Sequence, residues 1–171
     1  MKWKTRITDL IKIKYPIIMG AFASVGRAEF AASFSNAGGL GIITALNFGT
    51  NEDFENEMKK MKKLTNKPFG VNFSIMPPTM AAKVPHPRNE DFYMDYVQIA
   101  LEKGVRIFTT SAYQAPKIAK VILNAGAIWF HKCTTIKHAL SAEKLGAHGV
   151  TIVGVEGTGF KNPLQNTTLV N

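Results

Sequence analysis

The residues able to do chemistry in this sequence cluster where apolar runs give way to small or polar side chains. The segment Gly154-Val155-Glu156-Gly157-Thr158-Gly159-Phe160-Lys161-Asn162 follows the apolar run 150–153. Its glycines would let backbone approach a ligand with no Cβ in the way, which makes Gly154, Gly157 and Thr158 candidate ligand contacts. A general base would suit such a loop, but Phe160 has no titratable proton and cannot be one. Asn72 stands near the C-terminal end of the run 69–73, and its amide can both donate and accept hydrogen bonds. Lys132 occupies the same end of the run 127–131, in His131-Lys132-Cys133-Thr134-Thr135. If Lys132 points toward a ligand, strand alternation sends His131 the other way, toward packed helices. Cys133 has neither a second cysteine nor an evident activating helix terminus beside it, and reads as a small buried residue.

Short apolar runs alternate with longer segments of helical period, and these must position the candidates. Strands are expected at 15–19, 40–44, 69–73, 105–109, 127–131 and 150–153. Most are nearly continuous in hydrophobicity, as in a parallel sheet buried on both faces. Helices are expected near 27–36, 51–64, 90–103, 115–124 and 135–145. Asn51 is a candidate N-cap for the second, with Asp53 and Glu55 favoured in its first turn by the helix dipole. Gly38, Gly104, Gly126 and Gly146 fall where helices should stop.

This repeated βα pattern implies right-handed crossovers and an α/β fold, either a doubly wound open sheet or a (β/α)8 barrel. No G-x-G-x-x-G turn follows the early strands; after the first, the chain reads Gly20-Ala21-Phe22-Ala23-Ser24-Val25-Gly26. A dinucleotide-binding Rossmann fold loses ground accordingly. The long irregular stretch 76–89, with Pro77, Pro78, Pro85 and Pro87, is either a pocket cover or a surface excursion.

At 171 residues and 46% hydrophobic, the chain has the content for one core. Its formal net charge of +9 is spread out, and the dense cluster Lys59, Lys60, Lys62 and Lys63 has no interleaved aromatics. That pattern fits a solvated helix face and gives no reason to expect a nucleic-acid partner. A single cysteine excludes an internal disulfide and fits a reducing cytoplasm. Asp9, Lys12 and Lys14 interrupt any apolar signal region, and no stretch reaches the ~18 apolar residues of a membrane span. The expectation is a cytoplasmic protein with no membrane partner.

Four segments carry a family resemblance: Pro16-Ile17-Ile18-Met19-Gly20, Ser35-Asn36-Ala37-Gly38-Gly39-Leu40-Gly41-Ile42, Lys67-Pro68-Phe69-Gly70-Val71-Asn72-Phe73 and His131-Lys132-Cys133-Thr134-Thr135. In this order, and with the glycine-rich loop after them, they resemble the nitronate monooxygenase family, formerly called 2-nitropropane dioxygenases. The resemblance implies a TIM-type (β/α)8 barrel that binds FMN and oxidises alkyl nitronates with O2. Family members are about twice as long, so residues 1–171 would form one partial barrel domain truncated after about six strands. The phosphate-binding units, which in such barrels follow strands seven and eight, would be missing. FMN is therefore expected to be held weakly or lost. Open sheet edges would call for a homo-oligomer or a complementing chain.

Carried onto this sequence, the resemblance makes Gly20, Ala21 and Phe22 the segment passing beside FMN. Asn72 falls on the family's FMN-binding asparagine, Gly70 would leave room for the cofactor, and Lys132 would sit near the flavin pyrimidine. Gly38, Gly39 and Gly41 would mainly permit a tight helix-to-strand connection. Ser111-Ala112-Tyr113-Gln114-Ala115-Pro116 approximates a family turn, leaving substrate contacts there open. Two departures stand out. Phe160 replaces the histidine that deprotonates neutral nitroalkanes, and Val153 replaces a glutamine that contacts flavin in some members. Catalytic residues are thus none at the usual position, although a pre-ionised nitronate needs no deprotonation. A flavin-dependent enoyl-thioester reductase and a noncatalytic remnant are the alternative readings.

Overall fold

The structure, a computed structural model, describes residues 3–83 and 87–154. A short helix α1 (Arg6–Ile11) opens it, closed by a reciprocal capping box in which Thr5 and Thr8 each accept the other's backbone N–H. Then come α2 (Ala28–Asn36), β1 (Gly41–Thr44), a 3-10 turn at Ala45–Asn47, α3 (Asn51–Leu64) and β2 (Phe69–Ile75). The rest is α4 (Pro78–Ala81), α5 (Glu90–Glu102), β3 (Ile107–Ala112), α6 (Pro116–Asn124), β4 (Ile128–Cys133), α7 (Ile136–Lys144) and β5 (Gly149–Ile152).

All five strands are parallel and lie side by side in chain order, β1 to β5. A doubly wound sheet reverses its order at a switch point, and none occurs among the described strands. Same-handed crossovers without a reversal put every helix on one face and curve the sheet into a barrel wall. The run 15–19 corrects the sequence expectation, for it forms only a parallel bridge between Ile18 and Leu40. Pro16 has no N–H to donate, and Lys14 and Tyr15 both spend theirs on the Gly38 carbonyl. Pairing shrinks to Met19 N–H with Leu40 O and Leu40 N–H with Ile17 O, each 2.9 Å.

The helices show why these segments fold locally. In α3, Phe54, Met58 and Met61 are buried at i, i+4 and i+7, while Lys62 and Lys63 lie in the last turn, where the dipole favours cations. Its cap is Thr50, not Asn51: Thr50 is extended and its hydroxyl accepts from Asp53 N–H at 3.1 Å. Asn51 is already inside the first turn and donates to Asp95. Lys59 and Lys60 pair with Glu55 and Glu29 on the solvated face. The stretch 76–89 is partly regular, since Pro78 starts α4 with its φ preset and Met76 N–H reaches the Arg88 carbonyl across the loop.

Carboxylates stand in for missing caps. Arg27 precedes α2 and offers no acceptor, so Glu57 of α3, nearly buried, takes Ala28 N–H at 2.6 Å. Glu90 of α5 likewise takes Ile118 N–H at the start of α6. Each pair joins one βα unit to the next, and each satisfies a helix-terminal donor that would otherwise be orphaned.

The core fills the space between sheet and helices. Phe73 contacts Tyr93 and Phe108 at centroid distances of 5.3 and 6.2 Å, and Phe54 stacks on Tyr96 at 4.5 Å. Packing continues to Trp129, which is fully buried. Gly38, Gly104, Gly126 and Gly146 all take positive φ just past helix ends, as expected. Among the described residues, no helix is long and apolar enough to cross a membrane.

At Gly41 the backbone of α2 comes so close that an added Cβ would run into the Ala31 carbonyl. Gly41→Ala should therefore destabilise the chain by roughly 1–3 kcal/mol or more, because backbone rather than a flexible tip must move. Gly49→Ala, where nothing lies within 4 Å of the new Cβ, should shift the urea midpoint little by comparison.

Candidate active-site face of the barrel wall

Register decides which side chains meet. Asn72 pairs with Thr109, Thr109 with Phe130, and Phe130 with Gly149. Two residues further on, Ser74 pairs with Ser111, and Lys132 pairs with Thr151. Continuing the β3–β4 register from Thr110 and His131 puts Ser111 beside Lys132. Because alternate residues share a face, these two rows lie on the side of the sheet away from Phe73 and Tyr93, at the C-terminal ends of the strands. That end is where barrel enzymes carry their sites.

The rows are bonded together. Asn72, 3% exposed, donates through Nδ2 to Thr109 Oγ1 at 2.8 Å. Its Oδ1 accepts from the Ser74 hydroxyl at 3.1 Å and from that of Ser111 at 3.4 Å, and the two hydroxyls are 3.0 Å apart. The amide is thus spent on its neighbours and fixes two serine hydroxyls in the outer row. Lys132 is half-buried in that row, and burial holds its ammonium below the usual lysine range. Phe130, nearly buried, gives the row beneath an apolar floor, its ring lying over Gly149.

Gly70 does not leave room for a ligand. An added Cβ there would meet Ile42 Cδ1 at 2.8 Å and the Ile107 carbonyl at 3.0 Å, so the Ile42 side chain fills the space. The glycine serves packing one layer below Asn72.

The loop after the Ile18 bridge is held by Asn47. Its Oδ1 takes Ser24 N–H at 2.6 Å and its Nδ2 reaches the carbonyls of Phe22 and Gly26. Ser24 adopts φ +66 within this turn. Gly26 lies against the side chain of Thr44, the register partner of Asn72. Gly20, Ala21 and Phe22 are solvent-exposed in this loop, at the same end of the sheet as the polar rows. Gly154 follows β5 by two residues, at that end as well. Gly157, Thr158 and Phe160 lie outside the described residues.

His131 faces the helices, as alternation requires. It is 3% exposed and its Nδ1 is 2.7 Å from Thr110 Oγ1, which also accepts from Trp129 Nε1 at 2.9 Å. Burial, with His138 nearby, pushes its pKa down to about 4. Cys133 is fully buried and its thiol is pushed up to about 11, which makes it unreactive. Among the described residues, no group of His, Cys, Asp and Glu could hold a metal. Sequence reasoning missed Ser74 and Thr109, and with them the bonded rows. The signal was the alternation Asn72, Ser74 against Thr109, Ser111 in two adjacent strands.

Comparison with known proteins places this geometry. The model of a protein family described as nitronate monooxygenase matches residues 4–171. A probable nitronate monooxygenase of Staphylococcus saprophyticus is 27% identical over 98% of this chain and 53% of its own length. A (3aS,4S,5R,7aS)-5-hydroxy-7a-methyl-1-oxo-octahydro-1H-indene-4-carboxyl-CoA dehydrogenase of Mycobacterium tuberculosis is 27% identical over 99% of this chain and 44% of its own. Among solved structures, FabK from Thermotoga maritima superposes with a TM-score of 0.79 at 29% identity, over 94% of this chain and 48% of that one. Nitroalkane oxidase from Streptomyces ansochromogenes gives 0.73 at 25%, over 90% and 49%. The chain spans about half the length of the relatives it matches. Its fold is therefore part of a TIM-type barrel, as the strand order implies.

Burial of His131 makes stability depend on pH. Above about pH 6.5 the imidazole is neutral whether the chain is folded or not. As pH falls from there toward 4, the unfolded chain binds a proton that the folded chain does not, so stability drops. By pH 5 this site alone should cost roughly 2 kcal/mol. In urea unfolding at pH 7 and pH 5, His131→Gln should flatten the difference by about that amount.

Proposed function

The chain belongs to the nitronate monooxygenase family, and from that premise we propose that it is the flavin-bearing wall of an FMN-dependent oxidoreductase that oxidises alkyl nitronates with O2. The observation that carries this reading is the outer row Ser74, Ser111 and Lys132, ordered from below by Asn72 at the C-terminal strand ends. Two hydroxyls and an ammonium above the row of Asn72 and the apolar Phe130 match the polar edge and flat body of an isoalloxazine ring.

FMN, when bound, supplies electron transfer from substrate and reactivity toward O2. The chain's own residues do the rest. Ser74 and Ser111 would hold the ring's polar edge, and Asn72 keeps their hydroxyls aimed. Lys132 favours negative charge developing at that edge, and its half-buried setting strengthens the attraction. Gly20, Ala21 and Phe22 would border the ring from the loop pinned by Asn47, and Gly154 from the end of β5; Gly157 and Thr158 are proposed as further contacts from the resemblance alone. This chain alone is proposed to hold FMN weakly, since it spans about half of its relatives.

Proton transfer is where this chain differs. Phe160 stands at the position aligned with the family's histidine and can accept no proton. His131 is no substitute, because it faces the helices. A nitronate anion arrives already deprotonated and fits the cationic row. A second reading, reduction of an enoyl thioester, is favoured by the overlap with FabK and by the CoA-ester dehydrogenase among the relatives.

With excess FMN, oxygen uptake with propyl-2-nitronate should exceed that with neutral 2-nitropropane by roughly 10²-fold or more, the usual scale for a missing general base. Lys132→Met should lower the nitronate rate by about tenfold. Equal rates on the two substrates would refute the proton argument. NAD(P)H-driven reduction of a crotonyl thioester, without nitronate oxidation, would replace the first reading with the second.

A further inference from the structure

A polar cleft of about 330 Å³ lies on the opposite face of β4, between the turn leaving β3 and the first half of α7. Its wall includes Ala112, Gln114, His131, Lys137, His138 and Ser141. None of them belongs to the rows around Asn72. Gln114 Nε2 donates to Ser141 Oγ at 2.6 Å, which ties the turn to the helix and leaves the serine's own hydrogen free to donate.

His131 forms the floor. Thr110 Oγ1 already accepts the indole N–H of Trp129, and among the described residues its hydroxyl hydrogen has no acceptor other than His131 Nδ1. Pairing that hydrogen with Nδ1 puts the histidine's proton on Nε2, whereas the other tautomer would leave both the Thr110 hydroxyl hydrogen and Nε2 without partners among the described residues. That Nε2–H has no hydrogen-bond partner among the described residues, although the side chain is 97% buried and lines the cleft. Ala112 at the lip adopts φ +74, a backbone state rare for a residue with a Cβ. Such strain persists where surrounding structure enforces it and clusters at ligand sites.

We propose that this cleft is a second binding site, for a small oxyanion such as a carboxylate or phosphate group. Apart from Tyr113 and the Gln114 amide, which is bonded to Ser141, the polar groups on its wall are donors: the neutral imidazole N–H of His131, the Ser141 hydroxyl, the Lys137 ammonium and the His138 ring. Among the described residues, no carboxylate lines it. Its volume suits a small molecule or the anionic end of a larger one. The site needs no flavin and is independent of the activity proposed above.

The purified chain can be titrated with inorganic phosphate and, separately, with acetate, following the imidazole signals of His131 and His138 by 1H–15N NMR. The expected result is a saturable shift of the His131 Nε2–H resonance with at least one anion. Which anion saturates first distinguishes a phosphate from a carboxylate site. Lys137→Gln, an exposed substitution that leaves the core untouched, should weaken the apparent affinity by roughly tenfold, and Ser141→Ala by several-fold. Absence of a saturable His131 shift with both anions would overturn the proposal. Affinity unchanged in Lys137→Gln and Ser141→Ala alike would overturn it too.

Discussion

Parallel register between β2, β3 and β4 is the constraint from which the chemical features of this chain follow. Each hydrogen-bonded step fixes which side chains stand abreast, and the two-residue period fixes which face they share. Asn72 is thereby set beside Thr109, and Ser74 beside Ser111. The register then carries Lys132 into line. A slip of one residue would turn all of these toward the helices and bring Phe73, Phe108 and Trp129 onto the ligand face. The buried aromatic layer is what forbids the slip, since those rings would lose their partners on α5 and their cover.

The same period divides His131-Lys132-Cys133 between two environments. Lys132 keeps partial access at the strand ends, while His131 is enclosed with Thr110 and Trp129. One short motif thus supplies a cation to one face and a neutral, tautomer-fixed imidazole to the other. The connections are stabilised in a way that leaves both faces free. Glu57 and Glu90 cap the helices of neighbouring units from the outer layer, and Asn47 pins the loop at 22–26 by its own amide.

Much of this was legible in the residues. Continuous apolar runs announced parallel strands, and glycines 38, 104, 126 and 146 marked helix ends where they occur. Alternation alone gave the opposite orientations of Lys132 and His131. Other features depend on tertiary context that no local pattern carries. The run 15–19 is apolar enough for a strand, but Pro16 and the double use of the Gly38 carbonyl reduce it to a bridge. Thr50 outcompetes Asn51 as a cap because the helix begins one residue earlier than the asparagine needs. Gly70 looked like space for a cofactor and is filled by Ile42, a side chain from another strand. Asn72 was visible as an amide at a strand end. That it is spent on ordering Ser74 and Ser111 became clear only once β2 and β3 were in register.

The central claim is that the face bearing Asn72, Ser74, Ser111 and Lys132 binds flavin. Quenching of FMN fluorescence on titration with the chain measures this directly, comparing wild type with Lys132→Met and Lys63→Gln. Both variants lose one positive charge, but Lys63 is exposed on α3, away from both proposed sites. The account predicts measurable quenching by wild type, an affinity roughly tenfold weaker for Lys132→Met, and little change for Lys63→Gln. No quenching by folded wild type, or equal weakening in the two variants, would contradict it.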